Sequence, residues 1–255
     1  MGSALLCGWL AQDLAQRYLV VEPGRVPDTL RARPEVAILP TPDQLPRDAS
    51  PGVVVLAVKP QAMAAVLPAY RRFAVGTLFL SIAAGKTLSF FARALGAAAV
   101  VRAMPNTPAA IGRGITVACA SAAVAAPQRA LAERLLGAVG EVAWVADEAL
   151  LDPVTAVSGS GPAYVFLLIE CLAKAGVAAG LPEALATQLA RATVAGSAAL
   201  AALSPEAAAQ LREAVTSPGG TTRAALDVLM ASDGLETLLT RAVLAATQRS
   251  RELAE

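Results

Sequence analysis

The chain has 255 residues, of which 56% are hydrophobic, 4% aromatic and 16% charged, and its 21 basic and 20 acidic side chains leave a net charge of +1. So even a balance, with few aromatics and no basic run, argues against a nucleic-acid surface and points to a small-molecule partner. The complete lack of histidine excludes a Ser-His-Asp triad, a Cys-His pair, a histidine zinc site and any dehydrogenase that uses a histidine acid or base, so no metal centre is expected.

The length favours two domains. Three well-separated cysteines, Cys7, Cys119 and Cys171, form no disulfide framework and suggest a reducing, cytoplasmic compartment. Cys7 and Cys171 lie in apolar helical patterns and are expected in the core. Long apolar stretches are cut by charges, Gly or Pro before the roughly 20 residues that a membrane span needs. The longest uncharged run, Pro153 to Ile169, carries Ser158, Gly159, Ser160, Gly161 and Pro162 in its middle, so no membrane helix is expected there. Asp13 and Arg17 after an amphipathic start also fit no signal peptide.

In chain order, Ser3 to Gln16 has the spacing of an amphipathic helix. Tyr18 to Glu22 reads as a strand ending at an acid, Leu30 to Arg33 as the tail of a short helix, and Val36 to Leu39 as a second strand. Gly52 to Val58 is an apolar run suited to a parallel strand buried on both faces, ended by Lys59 and Pro60. A helix is expected from Gln61 to about Tyr70, a strand over Thr77 to Ala83, a helix over Leu88 to Leu95 and a strand over Ala98 to Ala103. After the turn Met104 to Pro108 come a strand, Ile115 to Cys119, a helix, Pro127 to Val139, and a last strand, Glu141 to Val145. Alternating strands and helices with short links imply an α/β fold with a Rossmann-like parallel sheet. Beyond Asp147 only helical spacing remains, in segments over 150–157, 162–179, 182–203, 205–215, 222–230 and 235–253. The expected division is therefore 1–147, a dinucleotide-binding domain, and 148–255, an all-helical domain. Alanine-rich faces such as Ala192 to Ala202 suit close packing in a subunit interface.

Ligands of an open parallel sheet sit beyond the carboxyl ends of its strands. The turns there hold Glu22 with Arg25, Thr41 to Gln44, Lys59 to Gln61, Ala83 to Lys86, and Met104 to Thr107, a set that would suit a dinucleotide. In the second domain, Val215-Thr216-Ser217-Pro218-Gly219-Gly220-Thr221-Thr222 runs into a helical pattern. A proline suited to a first turn, glycines that let a ligand approach the backbone and capping hydroxyls describe a helix start able to hold an anion such as a carboxylate, or else a well-capped surface turn.

Ala57 to Gln61, Ser81 to Gly85, Arg102 to Pro108, Ser158 to Tyr164 and Ser217 to Thr222 follow one another in the order and spacing of pyrroline-5-carboxylate reductase, and the chain resembles that family over essentially its whole length. The resemblance implies reduction of Δ1-pyrroline-5-carboxylate to L-proline by hydride from NADPH or NADH, the last step of proline biosynthesis. It implies that Ala57, Val58, Lys59, Pro60 and Ala84 line the dinucleotide, with Gln44 on its adenosine side. Ser217, Gly219, Gly220 and Thr221 would receive the substrate carboxylate, and Thr222, the catalytic candidate, would hydrogen-bond the ring nitrogen. It also implies a homodimer through the C-terminal helices, with larger assemblies possible in the family. Glu22 would hold a ribose diol and favour NADH, and Arg25 could pair with a 2'-phosphate, so dual use is expected.

The front of the chain departs from the family, in which a strand precedes a Gly-x-Gly-x-Met turn. Here Met1-Gly2-Ser3 stands at the place of the methionine inside that turn, so Met1 and Gly2 are the cofactor candidates left from it. The expectation is a start codon recorded downstream of the true one. The missing strand would leave its two neighbours about 9 to 10 Å apart. Two other readings remain: a non-catalytic remnant that serves as a dimerising interaction module, and a β-hydroxyacid dehydrogenase-like enzyme. The second would need a lysine shortly after Gly159 to Gly161, where Val165 stands.

Overall fold

A computed structural model describes residues 1–254. Contacts divide the chain into two compact units, Met1–Gly159 together with the stretch from Thr247 onward, and Ser160–Ala246. The change of periodicity at Asp147 thus falls twelve residues before the spatial boundary, and the end of the last helix belongs to the first unit.

The first unit opens with α1 (Gly2–Ala11). It ends five residues short of the expected Gln16, where Asp13 takes a positive φ of 49° and Tyr18 Oη accepts the Ala15 N–H. Strands β1 (Tyr18–Val21) and β2 (Val36–Leu39) pair in parallel across α2 (Asp28–Arg31). Next come β3 (Val53–Leu56), the broken helical stretch over residues 60–73 that includes α3 (Met63–Val66), β4 (Leu78–Ser81), α4 (Leu88–Leu95) and β5 (Ala99–Met104). Pro68 inside the expected Gln61–Tyr70 helix removes a donor and accounts for the break. Strand β6 (Gly114–Ala120), α5 (Ala126–Gly137) and β7 (Gly140–Trp144) complete the set.

Strands β3 to β7 form one sheet in sequence order, parallel except where β6 runs antiparallel to β5. The wholly parallel sheet expected from the alternation is corrected at this pair. A parallel crossover takes a dozen or more residues, usually with a helix. Residues 105–113 provide fewer, shaped as the short turn Thr107–Ile111.

Strands β1 and β2 make a separate two-stranded sheet, with no ladder between β1 and β3. The side chains still share layers. Tyr18, Val20 and Ile38 pack on one side with Val53, Val55, Leu78 and Leu80, and Leu19, Val21 and Leu39 on the other with Val54, Leu56 and Phe79. Period-two alternation produces this two-faced burial. The middle strand β4 is buried throughout, whereas β1 is only half-buried. Helix α1 is locked against α5 by the Trp9 indole N–H, which donates to the Leu135 carbonyl at 2.7 Å. A methyl at Gly8 would come within 2.6 Å of Val139 Cγ1, so glycine sets how closely the two approach.

After Asp147 the chain coils through α6 (Leu151–Val154) and a π-helical turn, Thr155–Gly159, into α7 (Gly161–Ala178). The Ser-Gly-Ser-Gly-Pro segment was expected to interrupt the apolar run. Instead Thr155 and Ser158 turn their hydroxyls back onto the Leu151 and Val154 carbonyls, and Pro162 falls in the first turn of α7, where no N–H is missed. The helical stretch Glu148–Ala178 is consequently long and apolar enough to cross a membrane by length and composition, with mean hydropathy 1.5.

The second unit holds α7, then α8 (Glu183–Leu203), α9 (Ala208–Ala214), α10 (Thr221–Leu229) and most of α11 (Leu235–Glu252). Helix α7 packs on α8. Elsewhere these helices leave large apolar side chains in solvent, among them Phe166, Leu167, Leu200, Val228 and Leu244. Cys7 and Cys171, expected in the core, are exposed in this chain, and only Cys119 is buried. Apolar neighbours along a helix do not say which of its faces is covered.

Candidate functional site

The dinucleotide candidates lie in the first unit, where the backbone brings several of them to one edge. Met1 caps α1 without a side-chain hydrogen bond to its first turn. A Cβ on Gly2 would sit 3.1 Å from the Ala57 Cβ just past β3. The start of α1 and the carboxyl end of β3 therefore meet through their two smallest side chains. First-turn N–H groups of a helix have no partner within it and carry a partial positive charge, so this edge has the chemistry for a phosphate oxygen.

Ala57 and Lys59 are exposed, Val58 and Pro60 half-buried, and Pro60 opens a 3-10 turn that ends the strand run. Past β1, the exposed Glu22 accepts the Gly24 N–H on Oε1 at 2.8 Å. That bond fixes one carboxylate oxygen and leaves the other for a hydroxyl pair. Arg25 is also exposed. Past β2, Gln44 ends the exposed 3-10 turn Pro42–Gln44.

Ala84 follows β4 in a loop that is pinned along its length. The Ala83 N–H donates to Ser81 Oγ at 3.3 Å, Gly85 takes φ 73°, and the Lys86 ammonium is buried over the Phe90 ring at 4.9 Å. Thr87 caps α4 by accepting the Phe90 N–H at 3.1 Å. At the far end Glu148 Oε1 accepts the Leu88 N–H at 2.6 Å and also binds the guanidinium of Arg102 on β5. Within this pinned loop Ala84 itself is exposed.

The Glu148 clasp has no counterpart in the sequence reading, because its partners lie 60 and 46 residues away and no periodicity links them. Beside it, burial and then the negative Glu148 push the Cys119 thiol above its ordinary range, so it stays protonated. In the Met104–Pro108 turn, Asn106 Oδ1 accepts the Ile115 N–H at 3.0 Å and closes the link between β5 and β6. A Cβ on Gly159 would come within 2.5 Å of Met104 Cε, so the π-helical turn sits against the end of β5.

The carboxylate candidates lie in the second unit. The Gly220 N–H closes a turn on the Ser217 carbonyl at 3.0 Å, Gly219 takes φ 68°, and Gly220 caps α10 without a side-chain bond. The helix starts at Thr221, so Pro218 stands ahead of it and not in its first turn as its type suggested. Ser217, Gly219 and Thr221 are exposed and Thr222 is half-buried. Arg223 pairs with Asp227 along the same helix at 2.8 Å. The turn thus offers unengaged first-turn amides and hydroxyls of the kind that hold a carboxylate.

Residues 148–253 match the family described as pyrroline-5-carboxylate reductase dimerisation. Over 99% of its length the chain is 42% identical to a pyrroline-5-carboxylate reductase of Synechocystis, covering 94% of that protein. The chain belongs to the pyrroline-5-carboxylate reductase family. Solved structures agree with this membership. A pyrroline-5-carboxylate reductase from Coxiella burnetii is similar with a TM-score of 0.89 at 36% identity, over 100% of this chain and 95% of that one. A pyrroline carboxylate reductase from Plasmodium falciparum, solved with NADP bound, is similar with a TM-score of 0.83 at 28% identity, over 100% and 95%. Both likenesses extend through the Rossmann-like sheet and the helices together, which the family match over 148–253 alone would not establish.

Proposed function

We propose that this chain reduces Δ1-pyrroline-5-carboxylate to L-proline with hydride from NADPH or NADH, as the last step of proline biosynthesis. The observation that carries the reading is the start of α10. A glycine in the left-handed region and a first helical turn without a side-chain cap support the binding of a substrate carboxylate there.

The cofactor supplies a hydride, and the chain needs only to bind, orient and polarise. On this reading Ser217, Gly219, Gly220 and Thr221 hold the carboxylate, and the Thr222 hydroxyl contacts the ring nitrogen of the protonated imine. Hydride addition to the C=N carbon turns the imine cation directly into the neutral amine. No strong base is required, in keeping with a chain that has no histidine. The cradle between Gly2 and Ala57 supports a dinucleotide pyrophosphate at Met1 and Gly2, with Ala57, Val58, Lys59, Pro60 and Ala84 along it, Gln44 towards adenosine and Glu22 on the ribose diol. The free oxygen of Glu22 and the nearby Arg25 support use of both NADH and NADPH.

The exposed leucines and phenylalanine of α7, α8 and α11 support a homodimer, which would cover the face that could otherwise pass for a membrane span. Three free thiols support a cytoplasmic location. A second reading, a dimerising module without turnover, draws on the division of the strands into two sheets.

The test is oxidation of NADPH and NADH by the purified chain with Δ1-pyrroline-5-carboxylate, beside Thr222→Val. Turnover that drops by about 100-fold or more in the variant, the scale of one positioned polar group in catalysis, supports the proposal. Dimers without turnover under either cofactor support the second reading.

A further inference from the structure

The chain leaves the first unit after Gly159 and returns to it at Thr247, and the two crossings are fastened to each other. Ser250 Oγ near the end of α11 hydrogen-bonds Asp152 Oδ1 on α6 at 2.7 Å, across 98 residues. Both Ser250 and Thr247 are buried, which is unusual for polar residues in the last turns of a helix with an exposed flank. One turn further on, the chain lies over the loop after β4. A Cβ built on Gly85 would stand 2.7 Å from the Leu253 carbonyl oxygen and 3.3 Å from its carbon. Only glycine lets this backbone approach occur, for reasons of space and because of its φ of 73°. From the other crossing Glu148, four residues before Asp152, holds the Leu88 N–H at the end of the same loop. The loop that exposes Ala84 is therefore gripped from both crossings.

We propose that Ser250 and Leu253 are positioning residues for the dinucleotide. Leu253 presses the Ala83–Lys86 loop at Gly85, and Ser250 holds it there by tying the end of α11 to Asp152 on α6, in the shape in which Ala84 meets the cofactor. The inference rests on the reading of Ala84 as a cofactor-lining residue. Neither residue touches the reacting atoms. Their effect falls on cofactor affinity and not on hydride transfer.

The experiment uses the full chain as the dimer, with NADPH binding followed by nucleotide fluorescence and the kinetic constants measured alongside. Ser250→Ala, and separately removal of the residues from Leu253 onward, should weaken NADPH binding and raise its KM about five- to tenfold, the scale of one lost hydrogen bond. The KM for the imino acid and kcat should hold, and Ser250→Thr should restore affinity. A merely structural role would lower the melting temperature and the active fraction, and so kcat, at unchanged KM for NADPH; that result overturns the proposal. Ala84→Leu separates the two layers. A shift at Ala84 with none at Ser250 or Leu253 overturns the positioning role and leaves the cofactor reading standing. No shift at Ala84 removes the cofactor role of the loop and the proposal with it.

Discussion

At the scale of single residues, glycine and cysteine carry the clearest consequences. Gly219 takes φ 68° in the turn before α10, where a side chain has open space but adds backbone strain of about 1 kcal/mol that shifts the turn leading to the first-turn amides. Gly219→Ala should therefore raise the KM for the imino acid by about tenfold, a loss of the size of one anion-holding contact, and leave the KM for NADPH as it was. Steady-state kinetics with each substrate varied in turn checks this. Cys119 and Cys7 should behave oppositely towards an alkylating reagent near pH 8. Cys7 is exposed, whereas Cys119 is 1% exposed with its thiol pushed up by burial and then by Glu148. Mass spectrometry should find Cys7 labelled in the folded chain and Cys119 labelled only after unfolding. The same shift gives a sign for stability. As the pH rises through the ordinary thiol range, the unfolded chain loses the Cys119 proton first, so this residue's contribution is present below that range and is lost above it.

At the scale of elements, the strands were the most legible part of the chain. Apolar runs bounded by Gly, Pro and charge located β2, β3, β4 and β5 within a few residues, because burial on both faces demands continuous apolar sequence. Helix ends were less legible. The apolar pattern of α1 continues through Leu14, yet the helix stops at Ala11, where the left-handed Asp13 turns the chain back towards β1. The direction of β6 was readable in principle from the short link after Met104, but alternation alone suggested a parallel strand. In the second unit, α7 exposes Phe166 and Leu167 at 60% and 56%, too much apolar surface to stand in water along one helix. Phe166→Glu with Leu167→Glu should convert a dimer to monomers, because burying two unpaired carboxylates costs several kcal/mol. Light scattering over a dilution series reads the outcome, and an unchanged mass would place the dimer interface on another face.

At the scale of the whole molecule, the chain makes one α/β unit and one helical unit, with the last turns of α11 returned to the first. Expected boundaries at 147 and 148 mark the change of periodicity. The spatial boundary falls later because α6 packs on β6, where Leu151 joins Val117 and Cys119, and the π-helical turn meets the end of β5 at Met104 through Gly159. The local settings of the candidate residues were legible because each sits in a short local motif: a strand end, a tight turn or a helix start. The Glu148 clasp and the Asp152–Ser250 bond were not, since each joins positions that are neighbours only after the sheet has formed.

Sequence by itself determined the class of fold, the places of the strand-end turns and of the helix start at Thr221, and the exclusion of histidine chemistry, because composition, period and turn residues act locally along the chain. Tertiary structure alone decided the separation of β1 and β2 into their own sheet, the exposure of Cys7 and Cys171, and the grip of α11 on the loop after β4. Those features depend on which surfaces meet between separate segments of the chain, an arrangement set by the packing of whole layers and not by any local preference.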